Sequence, residues 1–99
     1  MFLESYISDI KILCQKNKVK SLYVFGSVLT DRFTDKSDID LIVEIDSKDP
    51  LEYSDYYFNL KFALEELLNK KIDLLENRAL KNPFLRDNID NSKTLLYAS

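Results

Sequence analysis

The chain contains a single glycine, Gly26, and it closes a short run of β-branched and aromatic residues, Ser21 to Phe25. One glycine excludes the GxGxxG dinucleotide fingerprint and the GxxxxGK[ST] phosphate loop, each of which needs at least two. A glycine lets the backbone approach a ligand closely, and the residues from Ser27 onward could open a short helix with free amides, together an anion cradle. A plain tight turn is the alternative reading of the same dipeptide.

A second absence narrows the chemistry. The chain has no histidine, so a Ser-His-Asp triad, a Cys-His dyad and a His-ligated zinc are excluded. Acid, base and metal work falls to carboxylates. The lone cysteine, Cys14, cannot form an internal disulfide, and its place on an apolar stripe marks it as a small buried hydrophobe. Residues 1–99 are expected to form one domain, which at this size removes roughly 65% of the unfolded chain's surface from water and leaves little to build a deep cleft. A full substrate site would then draw on a partner. The opening MFLESYISDIKIL carries Glu4 and Asp9 where a secretory signal would be basic and then apolar, and no apolar run is long enough for a membrane span. A cytoplasmic protein without membrane contact is expected. The net charge of -3 argues against independent binding to nucleic acid, which relies on Lys and Arg at phosphates.

Residues 2 to 17 place Leu3, Tyr6, Ile7, Ile10, Leu13 and Cys14 at helical spacing. Ser21–Phe25 and Asp38–Ile45 read as strands, with room for one or two helical turns between them. Asp49 is a good N-cap, Pro50 suits the first helical position and Glu52 makes a capping-box-like pair, so a helix is predicted from Pro50 to about Asn69. Its tyrosines, Tyr53, Tyr56 and Tyr57, lie on the apolar stripe and read as packing rather than as a platform for bases. Lys71–Glu76 is a third strand, Asn82-Pro83 opens a last helix to about Asn91, and TLLYA, 94–98, is a candidate edge strand. The fold class is α/β, a small mixed sheet with flanking helices in the order α-β-(short α)-β-α-β-α.

The chemistry gathers in the second strand. Strand side chains alternate faces, so Asp38 and Asp40 point one way, about 6.6 Å apart along the strand, while Ile39, Leu41, Val43 and Ile45 point the other. At about 5 Å and an effective dielectric near 20 two such charges repel by about 3 kcal/mol, a poor choice unless something cationic sits between them. If the third strand is a neighbour, Asp73 joins the same acidic face. Three carboxylates form an all-oxygen site suited to Mg²⁺ or Mn²⁺. Chance occurrence of Asp-x-Asp in an acidic chain, with Asp38 a loop residue before the strand, is the plainer reading; a calcium loop fits worse, because its third ligand position and its glycine are not filled.

Gly26-Ser27, ten intervening residues and Asp38-Ile39-Asp40, flanked by FGS and SDIDL, resemble the signature of polymerase-beta-like nucleotidyltransferases, specifically the minimal nucleotidyltransferase (MNT) proteins. The resemblance spans nearly the whole chain, including Asp73 and the segment NPFLRDNI, 82–89. It implies the polymerase-beta-like fold and two-metal transfer of a nucleotidyl group from ATP. Asp38 and Asp40 would hold two Mg²⁺ ions, or Mn²⁺, and Asp73 would hold the catalytic metal and help deprotonate the attacking hydroxyl. Gly26 and Ser27 would bind the terminal phosphates, with Ser37 and Arg32 as further nucleotide-binding residues. It also implies a partner, since members commonly accompany a HEPN-domain toxin as its antitoxin and some AMPylate that toxin on a tyrosine. Many relatives carry Ala-Arg-Gly where this chain has Leu29-Thr30-Asp31, so Arg32 is the candidate for the phosphate-facing cation. Two rival readings are an antitoxin that works by occlusion and a nucleotidyltransferase for a small molecule such as an aminoglycoside; the short chain tells against the latter.

Overall fold

The structure, a computed structural model, describes residues 1–99. A 3-10 stretch, Phe2–Tyr6, leads into helix α1, Ile7–Lys16, and strand β1, Val19–Phe25. A single 3-10 turn, Gly26–Leu29, and an irregular loop lead to β2, Ile39–Ile45. Helix α2, Pro50–Leu68, β3, Ile72–Glu76, a 3-10 turn at Asn77–Ala79, α3, Pro83–Ser92, and β4, Thr94–Ala98, complete the chain. The mixed α/β architecture is the one expected, and TLLYA forms an edge strand, β4.

The sheet order is β3-β2-β1-β4. β1 runs antiparallel to both β2 and β4, whereas β2 and β3 are parallel and joined by the α2 crossover. Alternation along the strands sends Leu22, Val24, Ile39, Leu41, Val43, Ile45, Ile72 and Leu74 to one face. There they meet Leu3, Ile10 and Cys14 from the N-terminal segment and Tyr53, Leu60, Leu64 and Leu68 from α2, in one cluster of 18 buried residues. Each fully buried Leu or Ile contributes about 1.5–3 kcal/mol relative to an exposed one. Cys14 lies inside this cluster, and burial pushes its thiol up to about 12.

Local signals explain most boundaries. The Asp49 carboxylate accepts the Leu51 amide at 2.9 Å and Pro50 opens α2, as read from the sequence; that bond is not accompanied by a reciprocal one from Glu52. Asn69 ends the helix in the left-handed region, φ 50°. The first turn departs from the expected continuous helix. It is wound as 3-10, with the terminal ammonium paired to Glu4 at 3.1 Å and Phe2 packed on both Tyr6 and Phe33, ring centroids 5.6 and 5.3 Å apart. β2 begins at Ile39, one residue later than expected, so Asp38 stands at the junction of loop and strand.

The tyrosines of α2 serve packing and edge protection. Tyr53 is buried, and the Arg78 guanidinium lies 3.9 Å from its ring centroid. The Tyr57 hydroxyl donates to the Leu74 carbonyl of β3, an edge strand. Burial and the nearby carboxylates of Glu76 and Asp73 raise the Tyr57 phenol above its ordinary value, which keeps the donor proton in place. No helix is long and apolar enough to cross a membrane.

Leu64 is fully buried where α2 meets the sheet. Leu64→Ala is expected to cost about 2–5 kcal/mol of unfolding free energy in a denaturant titration.

Candidate active site

Three strand termini meet at one end of the sheet. β1 ends at Phe25, whose register partner on β2 is Asp40, and Asp40 is in turn level with Asp73 on β3. The parallel pairing of β2 with β3 thus fulfils the condition on which Asp73 was expected to join the acidic face. Asp38 precedes the strand two residues before Asp40.

The electrostatics record this convergence. The Asp40 carboxyl is raised above its ordinary value of 3.8, first by desolvation and then by the charges of Asp73 and Asp38. None of the three is ion-paired, since the chain's salt bridges lie elsewhere. They do not close into a preformed cage of three metal ligands. What they share is an uncompensated negative field at half-buried to exposed positions. Its all-oxygen donor set fits a hard divalent cation such as Mg²⁺ or Mn²⁺.

Gly26 borders this acidic end. Its φ is +81°, in the region that favours glycine. A Cβ there would meet the Asp40 carboxyl, 3.3 Å from Cγ and closer still to Oδ2. The glycine therefore permits both the left-handed turn and the close approach of the β1 backbone to the acid. Gly26 also lines a pocket of about 560 Å³, together with Ser27, Leu29, Thr30, Arg32 and Ser92. The Ser27 hydroxyl and the Arg32 guanidinium have no hydrogen-bond or ion-pair partner within the chain, so both are free to meet an anion. Thr30, where the resemblance leads to an arginine, braces the turn: its hydroxyl donates to the Ser27 carbonyl at 2.8 Å and accepts the Arg32 amide at 3.2 Å.

The structure brings together Gly26, Ser27 and Arg32 around the pocket, and Asp38, Asp40 and Asp73 at the acidic end. Ser37 stands apart from the pocket. Its hydroxyl accepts the Thr34 amide at 3.0 Å, closing the turn that delivers Asp38. Ser92 was not foreseen as a lining residue. Only the addition of β4 beside β1 carries the end of α3 to the pocket, and no local pattern announces that pairing. The segment NPFLRDNI has a structural role here: Asn82 caps α3, and Arg86 bonds to the carbonyls of Asn77, 2.7 Å, and Leu80, 3.2 Å, fastening the helix to the chain that leaves β3.

Residues 8–99 match the family described as Polymerase beta, Nucleotidyltransferase. The chain belongs to this family. It carries a nucleotidyltransferase domain, in which the glycine turn, the Asp38-x-Asp40 pair and the late Asp73 lie at one end of the sheet. Two proteins of Methanocaldococcus jannaschii that carry the name of protein adenylyltransferases are 43% identical over 82 residues and 38% identical over 80, each match covering 81% of this chain and 79% of the relative. Among solved structures, a minimal nucleotidyltransferase superposes with a TM-score of 0.76 at 29% identity, over 93% of this chain and 90% of that one. A toxin–antitoxin with AMP-PNP gives 0.70 at 24% identity, over 94% and 73% of the two chains. A tri-AMPylated Shewanella oneidensis HEPN toxin in complex with MNT antitoxin gives 0.66 at 22%, over 100% and 74%. The last two share the fold.

Gly26→Ala sets a methyl group against Asp40 and forces a side chain into a left-handed turn that alone costs about 1–2 kcal/mol. Melting should fall and ATP binding, followed by calorimetry, should be lost; unchanged affinity would reduce Gly26 to a turn residue. For Asp40→Asn the stability effect runs the other way. Because the folded carboxyl is raised, its favourable contribution is present below the ordinary value of 3.8 and lost as the pH rises through the raised one. At neutral pH without metal the variant should melt above the wild type, the gap closing as the pH is lowered, while Mg²⁺ with ATP should stabilise the wild type alone.

Proposed function

We propose that this chain transfers AMP from ATP to a hydroxyl, a tyrosine's, of a HEPN-domain toxin and so acts as its antitoxin. The observation that carries the proposal is the meeting of an anion pocket and three carboxylates at Gly26, which suits a triphosphate whose reacting phosphorus lies toward the acids. The names of the M. jannaschii relatives support AMP as the group and protein as the acceptor. The AMP-PNP and HEPN complexes of proteins with the same fold support the nucleotide and the partner.

In this reading the Gly26 backbone and the Ser27 hydroxyl hold the terminal phosphates, and Arg32 neutralises part of their charge. Asp38, Asp40 and Asp73 hold two divalent ions, Mg²⁺ or Mn²⁺, which supply charge neutralisation and polarisation of the phosphoryl oxygens. Asp73, exposed at the second position of β3, accepts the acceptor's proton. The hydroxyl oxygen forms a bond to the α-phosphorus as the bond from that phosphorus to the β-phosphate oxygen breaks. AMP remains on the acceptor and pyrophosphate leaves.

A second reading, neutralisation by occlusion with little transfer, is favoured by one feature, Thr30 in place of the family arginine. Asp73→Asn separates the two. It leaves the Gly26 turn and the Asp38–Asp40 pair intact, so some nucleotide binding should survive, while transfer to the co-purified partner should fall at least about 10²-fold, as for a lost general base. The variant should still co-purify but fail to protect cells, and the partner should gain no AMP by mass spectrometry. Full protection by the variant, with no adduct in either case, selects occlusion.

A further inference from the structure

Of the residues brought together at the site, Gly26, Asp40 and Asp73 are fixed by strands or strand ends, whereas Arg32 and Asp38 lie in the irregular segment 30–38. Within that segment hydrogen bonds are local, linking Thr30 to Arg32 and Phe33 and Thr34 to Lys36 and Ser37. Its hydrogen bonds to a distant side chain come from one residue. Lys70 Nζ donates to the Asp35 carbonyl at 2.7 Å and to the Thr34 carbonyl at 3.4 Å. The same ammonium lies 4.9 Å from the Phe33 ring centroid and 5.5 Å from that of Phe2.

Lys70 occupies the link between α2 and β3, three residues before Asp73. Its neighbour Lys71 accepts the Ile39 amide at 3.1 Å, the first tie between the β3 side and β2. The ammonium takes the backbone of Asp35 and forms no ion pair with a carboxylate. Charge-assisted bonds to two successive carbonyls fix a loop's path, where a bond to one flexible carboxylate would not.

We propose that Lys70 is a positioning residue that pins the loop carrying Arg32 and Asp38 to the segment carrying Asp73, setting the separation between the loop-borne and strand-borne halves of the nucleotide site. This rests on the nucleotidyl-transfer reading for its functional consequence, but the pin itself can be observed without activity. Lys70→Met keeps an aliphatic stem against Phe2 and Phe33 and removes the ammonium; Lys70→Arg keeps charge and donors; Lys70→Gln keeps a neutral donor. Hydrogen exchange, thermal melting, Mg²⁺-dependent ATP binding and transfer kinetics are measured on the full chain, the last with its co-purified partner.

In Lys70→Met, amides of residues 33–38 should exchange at least tenfold faster while those of α1 and β1 are unchanged, with little movement of the melting temperature. The Kd for ATP with Mg²⁺ and the KM should rise at least tenfold, more than kcat falls. Lys70→Arg should restore most of the protection and affinity, with Lys70→Gln between. Exchange and affinity in Lys70→Met equal to wild type overturn the pin, and so does an arginine variant as impaired as the methionine one. Should Lys70→Met fail to fold, the glutamine variant decides on the same readouts. A wild type that binds no ATP with Mg²⁺ overturns the nucleotidyl-transfer reading itself, whereas a binding wild type matched by Lys70→Met overturns the pin alone.

Discussion

The repulsion among Asp38, Asp40 and Asp73 is the constraint around which this small fold is arranged. Nothing basic in the chain is paired with them, and Asp40 responds by holding its proton more tightly than an ordinary carboxyl. A 99-residue domain has a modest margin of stability, and placing like charges level across a parallel strand pair draws on it. The core beneath offsets that strain: Ile39, Leu41, Ile72 and Leu74 lie fully or nearly buried on the opposite face of the same strands. The acids are thus held near one another by the burial of their apolar neighbours, and their shared donor set is all oxygen.

Gly26 turns this charge cluster into a site. Strand β1 could end in many ways, but only a residue without a side chain can bring its backbone against the Asp40 carboxyl and still turn with a positive φ. The same glycine that abuts Asp40 lines the pocket. An open pocket and a cluster of carboxylates are thereby brought to the two sides of one glycine without a deep cleft, which suits a domain with little surface to spare for one.

Much of this was legible in the sequence because the determinants are local. Alternation in Ile39–Ile45 announced both the strand and the shared face of its acids, Asp49-Pro50 announced the start of α2, and the only glycine marked the turn. Asp73 was legible only conditionally, since strand order is a tertiary fact and no pattern within KIDLLE states which strand it will lie beside. The same limit hid Ser92, which reaches the pocket through the β1–β4 pairing. Ser37 came from the family resemblance, and what the fold adds is that its hydroxyl closes the turn before Asp38. Lys70 carried no signal at all. A lysine at a helix end reads as a solvated cation, and its carbonyl partners lie more than thirty positions away.

Cys14 has a practical consequence of its own. Its side chain is fully buried in the core cluster and burial pushes its thiol up to about 12, so it offers reagents little thiolate while the core is closed. Alkylation then requires the apolar layer between helices and sheet to part, and the labelling rate counts those openings. The chain thus contains a native reporter of its own breathing motions, built into the core cluster rather than into the acidic end of the sheet.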